Sequence, residues 1–141
     1  MSIPSILLPL FVQVVLTFVL WNWMAYYRVT LINSGAVHPR DVALRQPNWP
    51  PHALKVANAA HNQLEIPVLY YVLTILAIVT HHADLLFVVL SWLFVLARLA
   101  HAYIHVTSNR VSIRGPAFGV SLLILMIMWI IFIVRILLGL P

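Results

Sequence analysis

Asn58, Asn62 and Glu65 follow one another at i, i+4 and i+7, the spacing that sets three side chains on one face of a helix. His61 lies beside that face. Further along the chain Arg98, His101 and His105 form a second stripe at i, i+3 and i+7. Ionisable groups inside apolar helices are costly and usually face a bundle interior or a wet cavity, so the two stripes are expected to meet. Glu65 is the one carboxylate set well inside an apolar helix and Arg98 the one cation so placed on its own helix, and the two are expected to pair, because an unpaired buried ion costs several kcal/mol. With Asn62 as a hydrogen-bond partner, such a pair is either a strut that fixes helix register or part of a site. Arg114, just before the last apolar run, is free to meet a ligand at the membrane edge, or serves as an interface anchor. His101 and His105 have the spacing of two metal ligands on a helix, but they lack a HExxH pattern and a third ligand, and no metal site is assigned.

The elements that must position these groups follow from hydropathy. Of the 141 residues 63% are apolar and 8% charged, a composition suited to lipid and not to water. A spanning helix needs about 20 mostly apolar residues, and four such runs take up most of the chain, at about 3–28, 52–80, 85–106 and 116–138. The fold class expected is therefore all-α, one integral membrane four-helix bundle over 1–141. Pro50-Pro51 precedes the second helix and Pro116 fits a first helical turn. The long polar stretch from about Val29 to Pro51 is a loop with turn signals at Asn33-Ser34-Gly35 and His38-Pro39-Arg40-Asp41. Thr80-His81-His82-Ala83-Asp84 is short, so the third helix returns antiparallel to the second, and this segment reads as a solvated turn with a helix cap. The first run has no basic n-region or small-residue cleavage site and reads as a retained helix.

Arg28, Arg40, Arg45, Lys55, Arg110 and Arg114 lie at one membrane face, against Arg135 near the other, so the long first loop and the third loop are expected to be cytoplasmic. The net charge of +5 arises from scarce acids, with only three Asp and Glu against eight Lys and Arg, and not from a basic cluster that would track nucleic acid. The absence of cysteine excludes disulfides, thiolate nucleophiles and cysteine-ligated metals. Trp21, Trp23, Tyr26 and Tyr27 resemble an interfacial aromatic belt.

His61-Asn62-Gln63-Leu64-Glu65-Ile66-Pro67, Arg98-Leu99-Ala100-His101, Asn109-Arg110 and Ile113-Arg114, in this order on four helices with a long first loop, resemble the membrane-associated proteins in eicosanoid and glutathione metabolism, the MAPEG family. The resemblance covers nearly the whole chain. It implies a homotrimer of left-handed four-helix bundles in which glutathione, as co-substrate, lies between neighbouring subunits on the cytoplasmic side. By position it makes Arg114 the catalytic residue that stabilises the thiolate. Asn62 and Glu65 match glutathione contacts, Glu65 receiving the amino group; Arg98 matches the arginine that opens the third-helix motif, and Arg28 a basic residue closing the first helix. Asn58, His61, His101 and His105 complete the expected binding set. The family's fuller motif is RxxxNxxE, and here Asn58 stands where it has arginine; His105 stands where eicosanoid enzymes often have tyrosine, and Gly115 and Phe118 replace polar and aromatic positions. The run from Asn62 to Tyr71 is similar to the NxxE-x-PVL-x-Y segment of a bacterial branch, which implies a bacterial inner membrane.

The function expected from this resemblance is a membrane-bound glutathione-dependent transferase or peroxidase acting on hydrophobic electrophiles that arrive through the bilayer. A fixed guanidinium lowers a thiol pKa by favouring the anion, and the peptide supplies the sulfur that this cysteine-free chain lacks. The alternative is a non-catalytic membrane protein with the same polar core that binds a lipid or a partner helix; a channel or transporter is a third reading. Membrane lipids, further copies of the chain and a hydrophobic small molecule are the expected partners, and nucleic acid is not among them.

Overall fold

The computed structural model describes all 141 residues, and every regular element in it is helical. Helix α1 spans Ile3–Asn33, α2 Pro51–Asn62, α3 Ile66–Val79, α4 Leu85–Val106 and α5 Val111–Leu137, with one 3₁₀ turn at Pro39–Asp41 in the first loop. Taking α2 and α3 as one interrupted span gives four helices long and apolar enough to cross a membrane. Only 17–44% of the residues in each span's apolar window are buried within the bundle, so the remaining apolar surface has to meet lipid or another protein surface. Leu8, Phe18, Ile75, Leu96, Leu123 and Ile130 are among the large apolar side chains on that outer surface.

The spans differ from their sequence expectations at three places. The first helix continues beyond Arg28 to Asn33; its 31 residues make a rod of roughly 46 Å, longer than the hydrocarbon layer, so its last turns project toward the loop. The second helix, expected to be continuous, breaks at Gln63-Leu64-Glu65. Pro67 has no N–H to give the carbonyl of Gln63 and its ring crowds that carbonyl. The chain there turns through tighter bonds, Gln63 N–H to Ala60 O (3.1 Å), Leu64 to His61 (3.1 Å) and Glu65 to Asn62 (3.2 Å). The last helix begins at Val111, which leaves Pro116 inside it and not in its first turn.

Two buried clusters hold the bundle. One joins Ile6, Tyr70, Leu73, Phe87, Phe94, Val95, Leu125 and Met128 at the end that carries the termini. The other, at the loop end, joins Leu20 and Met24 of α1 with Val56, Ala57, Ala59 and Ala60 of α2 and Ala102 of α4. The small alanines let α2 come close to both neighbours. Lys55 Nζ reinforces this by donating to the Thr107 carbonyl at 3.0 Å, at the C-terminus of α4 where free carbonyls favour a cation. Asn109, in the left-handed region at φ 51°, turns the chain from α4 into α5, its N–H reaching back to Ile104 O at 2.8 Å.

At the far end Asp84 caps α4 by accepting from the Phe87 N–H at 3.1 Å, as its place before the apolar run suggested. Its other oxygen meets Arg135 Nη2 at 2.9 Å, joining α4 to the end of α5. Burial opposes ionisation of Asp84, but the Arg135 and Phe87 hydrogen bonds outweigh it and hold the carboxyl below its usual range. A carboxyl held low in the folded state adds stability above its unfolded pKa, about 3.9, and that contribution is lost as pH falls through the folded value. The side chain is 43% exposed, so the contribution stays under about 1 kcal/mol. Thermal unfolding in detergent is expected to show a slightly lower melting temperature for Asp84→Asn near neutral pH, with the gap to wild type closing below about pH 4.

Candidate functional site

The break in the second span is what builds the site. Asn62 ends α2, so its carbonyl and side chain turn toward α4, where Arg98 is fully buried. Arg98 Nη2 donates to the Asn62 carbonyl at 3.3 Å, to Asn62 Oδ1, and to Gln63 Oε1 at 3.5 Å. Gln63 Oε1 also accepts from Gln13 Nε2 of α1 at 2.8 Å, while Gln63 Nε2 donates to the Ala59 carbonyl at 3.0 Å. A three-helix polar knot results, from Gln13 through Gln63 and Asn62 to Arg98. Helix rotation about the bundle axis would break several of its bonds at once.

The expected ion pair between Glu65 and Arg98 does not form. The two ion pairs in the protein are Arg40 with Asp41 and Arg135 with Asp84. The kink displaces Glu65 from the line of α2 and leaves it exposed, while the amides next to the kink take the guanidinium. Gln13 and Gln63 were not among the expected site residues, since Gln13 stands alone in an apolar run and Gln63 lies off the face shared by Asn58, Asn62 and Glu65. The available signal was a glutamine inside an otherwise apolar first helix, where an uncharged donor also needs a buried partner.

Above the knot lies an open cleft of about 490 Å³ at the end of the bundle that carries the long first loop. Asn58, Asn62 and Glu65 line it from the second span, His101 and His105 from α4, and Arg114, Gly115 and Phe118 from α5. Six of the nine residues singled out from the sequence thus share one cleft. The His101 and His105 rings sit 5.4 Å apart and edge-on, and Phe118 packs 5.8 Å from His101. Arg114 donates through Nη1 to Asn109 Oδ1 at 2.6 Å, which fixes the guanidinium at the rim of the cleft with other N–H groups still available. Arg98 does not line the cleft; it sits beneath and holds Asn62.

Arg28 and His61 go elsewhere. They line a second cavity of about 410 Å³ between α1, the first loop and α2, with Arg45, Trp21 and Trp49. Asn58 borders both cavities. Trp21 meets His61 edge-on at 5.2 Å and Tyr27 meets His52 at 5.0 Å, so two members of the expected aromatic belt turn inward. Trp23 and Tyr26 remain exposed as a belt requires.

Four spanning helices with these polar groups converging from the second, third and fourth spans agree with the family model for MAPEG, which matches residues 6–134. The chain belongs to the MAPEG family. No curated protein and no solved structure matches it. MAPEG proteins are membrane four-helix bundles, and the family includes glutathione transferases and peroxidases beside members of other kinds. In this MAPEG chain the cleft offers one carboxylate, one guanidinium with free donors, two amides and two imidazoles, with Phe118 as its one apolar wall. That donor set suits a small zwitterion, since Glu65 complements an ammonium group and Arg114 an anion.

Proposed function

We propose that this membrane protein binds glutathione in the cleft between the second, third and fourth spans and uses it as co-substrate, either adding its thiol to hydrophobic electrophiles or reducing a lipid hydroperoxide. The observation that carries the reading is the meeting of Glu65, Asn58, Asn62, His101, His105 and Arg114 in one cleft whose volume, about 490 Å³, lies in the range of small-molecule sites. Glu65 receives the peptide's amino group and the Asn58 and Asn62 amides bond its backbone. Arg114 lies at the thiol and stabilises its anion. In the addition the thiol proton passes to water, the thiolate sulfur forms a bond to carbon, and the electrophile's leaving group or electron pair accepts the displaced charge. In the reduction the thiolate attacks the outer peroxide oxygen and the O–O bond breaks, giving the lipid alcohol once its oxygen takes a proton and leaving the outer oxygen on sulfur as a sulfenic acid; the thiol of a second glutathione then displaces that oxygen as water and forms the disulfide.

The electrophile reaches the cleft from the bilayer past Phe118, and further copies of the chain assemble with it as a homotrimer. Charge distribution supports a cytoplasmic position for the cleft in a bacterial inner membrane, with Arg40, Arg45, Lys55 and Arg110 all at that end. The competing reading, a non-catalytic lipid or helix binder, rests on Asn58 standing where the family's fuller motif has arginine, and an interior sealed by a Glu65–Arg98 pair would have favoured it. An exposed Glu65 in an open cleft favours the enzyme.

The test is a titration of the purified protein in detergent with glutathione, following thiolate absorbance, beside the Glu65→Gln variant. A saturable signal that weakens about tenfold or more in the variant is expected, since a charge-assisted contact is lost. No binding at millimolar glutathione would sink the glutathione reading.

A further inference from the structure

The second cavity holds two arginines that do not line the cleft proposed for glutathione. Arg28, at the loop end of α1, and Arg45, in the first loop, both line it, and no carboxylate does. Of the three acids in the chain, Asp41 faces Arg40 at 3.9 Å, Asp84 sits at the opposite end with Arg135, and Glu65 lines the other cleft. Arg28 is held by its side chain and Arg45 by its backbone. The Arg28 guanidinium lies over the Trp49 ring, 5.6 Å from its centroid, and Arg45 is pinned in a left-handed turn at φ 66°, its N–H donating to Val42 O at 3.2 Å. Arg28 Nε and Trp21 Nε1 are buried donors with no partner in the protein. Two cations and two unpaired donors around a cavity of about 410 Å³ suit a multiply oxygenated anion.

Depth selects the anion. The cavity sits where α1 leaves the bilayer, level with the exposed Trp23 and Tyr26 that mark a headgroup interface. Phe18, the surface neighbour of Trp21 one turn deeper on α1, is 62% exposed and apolar, and gives an acyl chain a surface to follow. Basic pockets between spanning helices at the membrane edge recognise anionic headgroups by this combination.

We propose that the cavity between α1, the first loop and α2 binds a phosphate group carried by an anionic membrane lipid, with Arg28 and Arg45 as its clamp. The site is distinct from the glutathione cleft and stands whether or not glutathione binds there.

The test uses the full-length protein in nanodiscs of phosphatidylcholine doped with phosphatidylglycerol, with retained lipids counted by native mass spectrometry. Phosphatidylglycerol is expected to be enriched on the wild type, and the enrichment to fall about tenfold in Arg45→Gln and in Arg28→Gln, each of which loses a charge-assisted contact. Arg45 is exposed on a loop, so its variant tests the site without threatening the fold. Arg40→Gln, which removes an equally basic but 79% exposed side chain outside the cavity, should leave the enrichment intact. No enrichment on the wild type, or an equal loss in Arg40→Gln, would overturn the proposal in favour of general surface charge. Enrichment abolished by inorganic phosphate would overturn the lipid source, and enrichment abolished by glutathione would make the cavity an arm of the neighbouring cleft.

Discussion

Replacing Arg114 by alanine is expected to slow glutathione addition to an apolar electrophile by about a hundredfold or more, the usual loss when one donor aimed at a developing anion is removed. The effect should fall on the chemical step more than on binding, because Glu65, Asn58 and Asn62 remain to hold the peptide. A free thiol with a pKa near 8.5 is mostly protonated at neutral pH, and a fixed guanidinium shifts it toward the thiolate. The wild-type rate should therefore level off at lower pH than the rate of the variant, which should keep rising toward the free thiol value. Arg114→Lys should recover only part of the loss, since an ammonium cannot bond Asn109 and the thiolate from one rigid plane. Stopped-flow rates with a chromogenic apolar electrophile across pH 6 to 10 give the comparison; an alanine variant with unchanged rate and profile would leave Arg114 an interface anchor.

Ala60→Leu is expected to have the largest effect on stability, about 3 kcal/mol, at the upper end for overpacking a tight core. Ala59 and Ala60 have no exposed surface, and the cluster around them brings α2 against Leu20 and Met24 of α1 and Ala102 of α4. A leucine there has no space without pushing α2 outward. Because α2 carries Asn58 and Asn62 on another face, the same shift would pull Asn62 from Arg98 and open the cleft. Binding of glutathione and thermal stability should fall together. Ala100→Leu, on the exposed face of α4, is the control and should leave both nearly unchanged. Equal melting temperatures for the two variants would mean that α2 is not closely packed.

The amide knot explains why a change in the core at Ala60 reaches the cleft. Arg98 does not itself line the cleft, yet it fixes Asn62, and through Gln63 it is tied to Gln13 on α1. Spacing alone marked Arg98 as a buried cation in need of a partner. Which partner it finds depends on the path of the chain just before Pro67, and a helical-wheel reading assumes a straight rod.

By itself the sequence determined the membrane class, the four spans and the polar stripes, because these rest on local quantities: hydropathy over about 20 residues and side-chain periodicity within one helix. It also carried the ordered motifs by which the MAPEG family is recognised, and most of the cleft, since Asn58, Asn62, Glu65, His101, His105 and Arg114 were all named from spacing or resemblance. Tertiary structure alone decided that Glu65 opens to the cleft while Asn62 and Gln63 take Arg98, because a proline-induced break redirects the chain by an amount that periodicity does not encode. It alone parted Arg28 and His61 from the other site residues and joined them to Arg45, which lies in a polar loop with no periodicity to read. Contacts between residues far apart in the chain depend on how the helices pack, and that was settled by the alanine face of α2, whose small side chains let α1 and α4 approach.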